Sequence, residues 1–441
     1  MATSLRRLRL LSLPLGTAAL GLRARLATLA GGDPDAVRAE LRRRNAERTR
    51  ATLGELKGGA LKAGQLLSTV DALLPQDPEA TWSEALGELR EVGVPVPFEE
   101  LAPVLFDELG ASWRRDLPAL DASPVAAASL GQVHRGRWRD GREVAVKIQY
   151  PGVAEAVASD VGTVAAMSRL AARLAPSLAL PPLVDELRTR LAEELDYTRE
   201  AAVQTRFVEG FAGDAGVVVP EIVAATPRVL VSTWLDGTPL AALADAPPER
   251  RDAAARAYQR FLVAGPEHAG WLHTDPHPGN FRILDDGALG VMDFGSALAM
   301  PDGMPDSFGR LLAALIADSP AEVGAALEGA GFVEPGAAVE VDKLLDYMRP
   351  FTEPAAASEF TFTRSWLRGQ FGRVNDPRNP DFGVALQLRM PAEHLFTHRV
   401  WLGMVGVLCH LEATVPVRSV LERWLPGFAP PAEATAAPRS A

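Results

Sequence analysis

The feature that most constrains the fold of this chain is a pair of short acidic motifs that lie close together in the sequence. The first, H-T-D-P-H-P-G-N, spans residues 273–280, and the second, D-F-G, spans residues 293–295. Phosphoryl transfer needs one Asp to orient a hydroxyl nucleophile, and an Asn and a second Asp to hold magnesium against the phosphates. Asp275, Asn280 and Asp293 supply these groups. We therefore predict Asp275 as a catalytic residue and Asn280 and Asp293 as magnesium ligands.

The spacing of the motifs supports this prediction. Asn280 follows Asp275 by five positions, which is the step in the kinase pattern H-R-D-L-x-x-x-N. Residues 281–284 and 289–292 are predicted to form two short strands joined by a tight D-G turn. Such a hairpin would bring Asn280 and Asp293 close enough to share a metal ion. One motif alone is often a chance match, but both motifs in this order favour a functional site.

A second predicted hairpin carries a lysine. Residues 132–138 and 143–148 are predicted as strands around the D-G turn at 140–141, and the second strand contains V-A-V-K. Lys147 thus occupies the position of the kinase lysine that pairs with the α- and β-phosphates. The preceding loop, residues 126–131, is A-A-A-S-L-G, so only the last glycine of a G-x-G-x-x-G phosphate loop is present. Because a Cβ hinders positive φ and close backbone approach, we expect this loop to hold phosphates differently.

Residues 34–74 are predicted to be helical, because apolar residues recur there at three- and four-residue steps. Lys62 and Gln65 project together from that helix. The neighbouring glycines are poor helix formers that usually need a packing reason. Taken alone, a lysine on a helix is usually solvated surface.

A second helix is predicted over residues 181–207, where leucines recur at four-residue steps. This helix carries Glu194, Asp196 and Glu200. An ATP-site lysine needs a carboxylate partner from such a helix, and we assign Glu200 to that role. Two interpretations of Glu194 and Asp196 stay open: they are either further metal or phosphate-site groups or a solvated acidic face.

Composition limits the class of protein. Hydrophobic residues make up 47% of the 441 residues and charged residues 23%, which is ordinary for a globular protein of two or three domains. The single cysteine, Cys409, excludes an internal disulfide framework and favours a reducing, cytoplasmic location. The net charge of −11 argues against nucleic-acid binding.

The first 50 residues differ from this average. They contain eleven arginines and four acidic residues, a net charge of +7. Residues 10–22 are uncharged, but this run is too short for a transmembrane helix, and none is predicted. Three interpretations stay open for this segment. The first is a basic amphipathic arm at an anionic membrane surface, which would hold the protein peripherally at the inner membrane face. The other two are a frayed or packed arm and a secretion signal.

Taken together, these motifs resemble the UbiB/AarF family of atypical kinases, also called the ADCK family, over roughly residues 50–410. Three of the matching motifs are absent from ordinary kinases: K-x-G-Q at 62–65, A-A-A-S at 126–129 and E-L-D-Y-x-x-E-A at 194–201. V-A-V-K-I-Q-Y-P-G, H-T-D-P-H-P-G-N and D-F-G match as well.

The resemblance implies an α+β, two-lobed protein-kinase-like fold with an N-terminal helical extension folded over the active site. On this basis we predict a basic amphipathic arm at 1–33, the helical extension with the K-x-G-Q motif at 34–109, the kinase-like small lobe at 110–235, the helical large lobe at 236–425 and a disordered tail at 426–441.

The resemblance also implies residue roles. Lys62 joins Lys147 and Asp275 among the catalytic residues, and Lys147 pairs with Glu200. Asn280 and Asp293 bind Mg²⁺. The residues implied at the site of the nucleotide, ATP or ADP, are Ala126, Ala127, Ala128, Ser129, Lys147, Glu200, Gln65, Glu194 and Asp196.

Members of this family support quinone or other isoprenoid-lipid metabolism, so the resemblance implies a phosphotransferase or ATPase with a lipid or quinone precursor as a further ligand. The family's alanine loop is tied to altered nucleotide preference and suppressed protein phosphorylation. No A-P-E motif follows Gly295, so a protein substrate would find little to dock on. Two alternatives are a nucleotide-switched pseudokinase that acts as a binding or chaperone-like module and a small-molecule phosphotransferase of the aminoglycoside type. Quinone-linked bacterial members commonly end in transmembrane helices, whereas this chain ends in a Pro/Ala-rich tail.

Overall fold

The computed structural model describes residues 95–127, 130–159, 192–333, 340–374 and 394–429, and the single residues Val161, Gly162, Ala165, Arg188, Leu388 and Pro391. Internal contacts divide the chain into two compact units. Within the described ranges, the first unit consists of residues 95–199 and 222–234, and the second of residues 200–221 and 235–429. Both units combine helices with strands.

The described helices are α1 (Phe98–Leu109), α2 (Trp113–Asp116), α3 (Tyr197–Gly210), α4 (Pro248–Ala269), α5 (Asp306–Ile316), α6 (Pro320–Gly329), α7 (Val341–Ala356), α8 (Arg364–Val374), α9 (Leu395–Leu411) and α10 (Val417–Trp424). The described strands are β1 (Ala119–Leu120), β2 (Ala126–Ala127), β3 (Gly131–Arg137), β4 (Glu143–Gln149), β5 (Val217–Val218), β6 (Ile222–Ala225), β7 (Val229–Thr233), β8 (Thr238–Pro239), β9 (Trp271–His273), β10 (Phe281–Ile283), β11 (Leu289–Val291), β12 (Ala297–Ala299), β13 (Phe360–Thr361) and β14 (Thr414–Val415).

The first unit is built on an antiparallel sheet in the order β1-β3-β4-β7-β6, and β2 pairs with the start of β3. Val144 and Val146 of β4 are fully buried and pack against Leu101 and Leu105 of α1. Successive side chains of a strand point to opposite faces of its sheet. Lys147 therefore lies on the face opposite α1, and the β3–β4 hairpin predicted from the sequence is confirmed.

The core of the second unit surrounds α4. Tyr258 and Phe261 of α4 are fully buried and pack with Phe207 of α3, Phe281 of β10 and the Phe of the D-F-G motif, Phe294. The ring centroids of Phe207 and Phe294 lie 4.9 Å apart. These contacts tie the second acidic motif to the centre of the unit. A separate apolar cluster joins α5, α6 and α7.

The predicted hairpin between the two acidic motifs is confirmed. β10 and β11 pair in antiparallel register from Phe281 opposite Val291 to Ile283 opposite Leu289. Gly287 turns the chain with a φ of 88°, in the left-handed region that favours glycine. β5 and β8 complete this four-stranded sheet, and β11 pairs with β5 in parallel. After the D-F-G motif, β12 pairs with β9 and α5 begins at Asp306, so the intervening segment is short.

The helix predicted over residues 181–207 is not continuous in its described part. Residues 192–194 are helical, Leu195 lies in a turn, and α3 begins afresh at Tyr197. The break arises because Asp196 caps the new helix, as described below. The segment 200–221 groups with the second unit, although we assigned it to the small lobe, because Val203, Phe207 and Phe211 pack into the core around α4.

Several predicted segments lie outside the described residues: the basic arm at 1–33, the helix at 34–74 and most of the tail at 426–441. The domain boundaries therefore stay predictions. Among the described helices, none combines the length and the apolar character that crossing a membrane requires.

Candidate active site

Residues 273–280, which we call the catalytic loop after the role predicted for Asp275, are held in the second unit by hydrogen bonds among themselves. The side-chain amide Nδ2 of Asn280 donates to Asp275 Oδ2 at 2.9 Å and to the Asp275 backbone oxygen at 3.3 Å. Residues 278–280 form a short 3₁₀ turn, in which the Gly279 amide donates to His277 Nδ1. The local sequence P-G-N permits this tight turn, and the turn sets Asn280 beside the Asp275 carboxylate.

The two acidic motifs are joined by backbone contacts. The Met292 amide donates to the Asn280 backbone oxygen at 2.8 Å, so Asp293 directly follows a residue bonded to Asn280. His273 Nε2 lies 2.9 Å from the Asp293 backbone oxygen, and because a carbonyl can only accept, His273 donates. Burial lowers the pKa of His273, which keeps its imidazole neutral at physiological pH. The structure thus brings together Asp275, Asn280 and Asp293.

The groups around Asp293 suit a hard divalent cation. Asp293 is exposed and adopts a φ of 62°, and its Oδ1 accepts from the Gly295 amide at 3.2 Å. Because Asn280 donates through Nδ2, its amide oxygen Oδ1 is the atom suited to a metal. One carboxylate and one amide oxygen fit magnesium, which usually keeps several waters and takes its other ligands from phosphates. Among the described residues, no group of three or more His, Cys, Asp and Glu side chains is arranged to hold a metal ion.

Glu200 lies beside the D-F-G motif. Its side chain is buried, with 4% of the residue exposed. A Cβ added to Gly295 would meet Asp293 Oδ1 and Glu200 Oε2, each at 3.3 Å. The carboxylates of Asp293 and Glu200 therefore both flank Gly295. Two neighbouring carboxylates repel each other unless a cation offsets their charge. Such a pair of carboxylates is therefore typical of a site that holds a metal ion or a basic side chain.

In the first unit, Lys147 is half-buried on the sheet face opposite α1, and its Nζ lies 5.0 Å from the centroid of the Tyr197 ring. A lysine ammonium over an aromatic face is attracted by the ring quadrupole. The pairing of Lys147 with Glu200 stays a prediction.

The alanine loop is described only in part. Ala126 and Ala127 are exposed and form β2, where they pair with Val133 and Gln132. Ala128 and Ser129 lie outside the described residues. Gly131, the glycine that the loop shares with a kinase phosphate loop, has a packing role, because a Cβ there would lie 2.2 Å from the Ile148 backbone oxygen.

Asp196 has a structural role that sequence reasoning left undecided. Its Oδ1 accepts hydrogen bonds from the Thr198 amide at 2.9 Å and the Thr198 hydroxyl at 2.5 Å. This is the geometry of a helix N-cap, which satisfies an otherwise unpaired amide at the start of α3. Glu194 is half-buried on the preceding helical turn. Lys62 and Gln65 lie outside the described residues, and their roles stay predictions.

Three residues that contact the catalytic loop were not predicted from the sequence. The Tyr258 hydroxyl of α4 donates to the Pro276 backbone oxygen at 2.6 Å. Burial and the nearby charge of Asp275 raise the pKa of Tyr258, so its phenol stays protonated and donates. Arg399 and Gly403 of α9 lie against Asp275 and Pro276. No local motif marks these residues, because their only signal is proximity in the folded chain.

Comparison with known proteins decides the family. The model of the ABC1 atypical kinase-like domain matches residues 88–326, which is more than half of the chain. The chain belongs to this family. The predicted UbiB/AarF resemblance is therefore confirmed, and so is the α+β, two-lobed kinase-like fold class.

Individual relatives in the family agree with this assignment. The chain is 33% identical over 269 residues to the mitochondrial atypical kinase COQ8B of Danio rerio, covering 60% of this chain and 42% of the relative. It is 30% identical over 274 residues to the mitochondrial atypical kinase COQ8 of Saccharomyces cerevisiae, covering 61% of this chain and 54% of the relative. The chain thus spans about half the length of these curated relatives.

A solved structure matches over a larger share of the chain. It is the complex of Rv3197 with erythromycin from Mycobacterium tuberculosis, which superposes with a TM-score of 0.71 at 36% identity and covers 90% of this chain and 100% of the solved chain. This likeness supports the same kinase-like architecture for the described units.

Proposed function

We propose that this ABC1-family protein binds Mg-ATP or Mg-ADP and uses the nucleotide for phosphoryl transfer or ATP hydrolysis in support of quinone or isoprenoid-lipid metabolism. The observation that carries the proposal is the Asp275 carboxylate held by Asn280, with Asp293 one hairpin away. The family's link to quinone and isoprenoid lipids supports the substrate class, and the relatives named atypical kinases support the reaction class.

Each polar group has a separate task in this proposal. Asn280 and Asp293 hold magnesium, which when bound neutralises charge on the phosphates. Lys147 offsets the charge of the α- and β-phosphates, and Glu200 orients Lys147. Asp275 orients the attacking hydroxyl or water and accepts its proton. The oxygen of that nucleophile forms the new bond to the γ-phosphorus, the bond to the bridging oxygen breaks, and ADP leaves with the electron pair.

The segment after the D-F-G motif favours a small or lipid acceptor over a protein. β12 ends at Ala299 and α5 begins at Asp306, so residues 300–305 are all that connects them. A protein kinase uses a long activation loop at this point to order its site and dock a peptide. The short segment here offers no such platform, in agreement with a non-protein substrate.

Nucleotide binding is tested by thermal shift with Mg-ADP and Mg-ATP. Asp293→Asn and Lys147→Ala each remove a charge that offsets the phosphates or their metal, so we expect both variants to lose most of the wild-type shift. Matched controls are Asp285→Asn, an exposed carboxylate in the turn of the same hairpin, and Lys343→Ala, an exposed lysine of α7. Unchanged shifts in Asp293→Asn and Lys147→Ala would remove the nucleotide site from the proposal.

Turnover is tested by ATP hydrolysis and by phosphorylation of a lipid extract, with wild type and Asp293→Asn side by side. We expect wild type to release phosphate or label a lipid, and Asp293→Asn to do neither. A nucleotide-switched pseudokinase would instead show the Mg-nucleotide shift without turnover. An aminoglycoside-type phosphotransferase would label a small polar acceptor and leave the lipid extract unlabelled.

The likeness to the Rv3197–erythromycin complex favours a second candidate function, binding of a bulky macrolide-type ligand. Erythromycin itself is the probe: we would measure its binding by calorimetry, and its effect on ATP hydrolysis, with and without Mg-ADP. Binding that changes the hydrolysis rate supports a ligand-regulated ATPase. The absence of measurable binding at millimolar erythromycin would restrict that property to the Mycobacterium tuberculosis protein.

A further inference from the structure

The carboxylate of Asp275 is contacted on both of its oxygens. Asn280 Nδ2 donates to Oδ2 at 2.9 Å, and Arg399 Nη2 of α9 lies 3.8 Å from Oδ1. The exposed fractions of the two side chains are 19% for Arg399 and 34% for Asp275. This ion pair is therefore less solvated than an ordinary surface pair, and its charge is screened less.

The fold holds α9 directly against the catalytic loop. Gly403 lies four residues after Arg399, so both residues lie on one face of the helix. A Cβ added to Gly403 would lie 2.3 Å from Pro276 Cγ, closer than real Cβ contacts allow. On the other side, the Tyr258 hydroxyl binds the Pro276 backbone oxygen at 2.6 Å. The residue that follows Asp275 is thus packed between two helices, and Arg399 projects from one of them.

The catalytic loop itself carries no permanent positive charge. Residues 273–280 contain no lysine and no arginine. Charge that develops in phosphoryl transfer is stabilised by cations fixed in advance around the reacting groups. In the described part of the second unit, Arg399 supplies a guanidinium at the Asp275 carboxylate from far downstream in the sequence.

We propose that Arg399 is a positioning residue of the proposed catalytic centre: its guanidinium holds Asp275 Oδ1 while Asn280 holds Oδ2, so that the carboxylate meets the attacking hydroxyl or water in one orientation. This inference rests on the proposed function. It makes α9 part of the reaction machinery. Since Arg399 contacts Asp275 and is not among the predicted nucleotide or metal contacts, its loss changes turnover more than nucleotide affinity.

The test measures ATP hydrolysis by the full chain, with ATP as the probe, together with the Mg-ADP thermal shift and the melting temperature of each variant. For Arg399→Ala we expect kcat to fall by about tenfold to a hundredfold, the usual cost of a misplaced catalytic group, with KM and the Mg-ADP shift close to wild type. Arg399→Lys should retain part of kcat, because it keeps the charge. Methylguanidinium added at millimolar concentration should restore part of the activity of Arg399→Ala.

Two further variants separate positioning from packing. Gly403→Ala displaces α9 from Pro276 without removing a charge, so we expect a lower kcat that methylguanidinium does not restore. Arg418→Met removes an exposed arginine of α10 that pairs with Glu422, and it should leave kcat unchanged.

The outcomes are distinguishable. Wild-type kcat in Arg399→Ala overturns the inference alone. Equal losses in Arg399→Ala and Arg399→Lys, with a lowered melting temperature and no rescue, also overturn it, since they assign Arg399 a packing role. Wild type that neither hydrolyses ATP nor shifts with Mg-ADP overturns the proposed function, and the positioning role with it. Wild type that shifts with Mg-ADP but neither hydrolyses ATP nor labels a lipid extract supports the switch alternative and likewise overturns the positioning role.

Discussion

At the scale of single residues, hydrogen bonds with a defined donor and acceptor hold the polar groups of the candidate site. His273 donates to the Asp293 backbone, Asn280 donates to Asp275, and Tyr258 donates to Pro276. Each donor is at least half-buried. A buried polar group that lacks its hydrogen-bond partner lowers the stability of the fold. Hydrogen bonds of the fold itself therefore hold residues 273–280, and the proposed function requires such a preorganised site.

Substitutions of Asp196 distinguish a helix-capping role from a role in nucleotide binding. As the N-cap of α3, its loss in Asp196→Ala should lower the free energy of unfolding by about 1 kcal/mol, while Asp196→Asn should retain most of the stability. Chemical denaturation of both variants measures this. Asp196→Ala with wild-type stability but no Mg-ADP shift would contradict the capping role and return Asp196 to the nucleotide site.

His134 of β3 should make stability depend on pH. Its Nδ1 lies 2.7 Å from the Asp121 backbone oxygen and donates, so Nε2, 3.0 Å from Gln132 Nε2, must accept, and the ring is neutral. Burial lowers the pKa of His134. As pH falls below the ordinary imidazole value of about 6.5, the unfolded chain therefore takes up a proton that the folded chain does not. Stability should fall, by at most about 1.4 kcal/mol per pH unit for this group.

The measurement is urea denaturation of wild type and His134→Asn across about pH 7 to pH 5. His273 and His398 also have pKa values lowered by burial, so wild type and variant should both lose stability on acidification. The variant should do so with the smaller slope. Identical slopes would show that His134 takes up its proton equally in both states.

At the scale of elements, the β10–β11 hairpin sets the distance between the two acidic motifs. Its turn places Gly287 at a φ of 88°. The Leu284 amide donates to the Ala288 oxygen at 2.9 Å, and the Ala288 amide donates to Asp286 Oδ1 at 3.0 Å. The sheet partners β5 and β8 flank the hairpin on both edges. The spacing of Asn280 and Asp293 is thus a property of one supported hairpin.

Gly287→Ala should weaken this hairpin. An L-residue is strained at a φ of 88°, so we expect a loss of roughly 1 kcal/mol of unfolding free energy and a smaller Mg-ADP shift. The matched control is Gly324→Ala in α6, where an added Cβ meets no atom within 4 Å. Alanine is the better helix former, so that variant should gain about 0.5–1 kcal/mol. Equal effects of the two substitutions would argue against strain at Gly287.

At the scale of the whole molecule, charge is unevenly distributed along the chain. The net charge is −11, yet residues 1–50 carry +7, with eleven arginines against four acidic residues. This segment lies outside the described residues. A basic segment is attracted to the anionic headgroups of a membrane, and salt weakens the attraction.

Co-sedimentation with liposomes of an anionic phospholipid tests the arm. The full chain should bind more than a chain lacking residues 1–32, because each arginine near the surface contributes roughly 1 kcal/mol. Binding of the full chain should fall as salt rises, whereas neutral liposomes should bind neither form. Equal partition of the two forms would leave the arm without a membrane role.

The sequence by itself determined the family and the fold class, and it predicted the metal pair of the candidate site. Asp275, Asn280 and Asp293 were predictable because they belong to motifs whose spacing is short and whose linking hairpin carries its own turn signal. Lys147 was placed by the same kind of local evidence, since a strand and a D-G turn precede it. Local sequence specifies such features because the contacts that form them span only a few residues.

Only the tertiary structure decided which residues surround those motifs. Arg399 reaches Asp275 from a helix far downstream, Tyr258 reaches Pro276 from α4, and Gly131 is small because the backbone of β4 passes beside it. Asp196, which the acidic pattern left between two interpretations, is a helix cap because its side chain accepts a hydrogen bond from the Thr198 amide at the start of α3. Contacts of this kind depend on how whole elements pack, and packing is a property of the folded chain that no spacing along the sequence records.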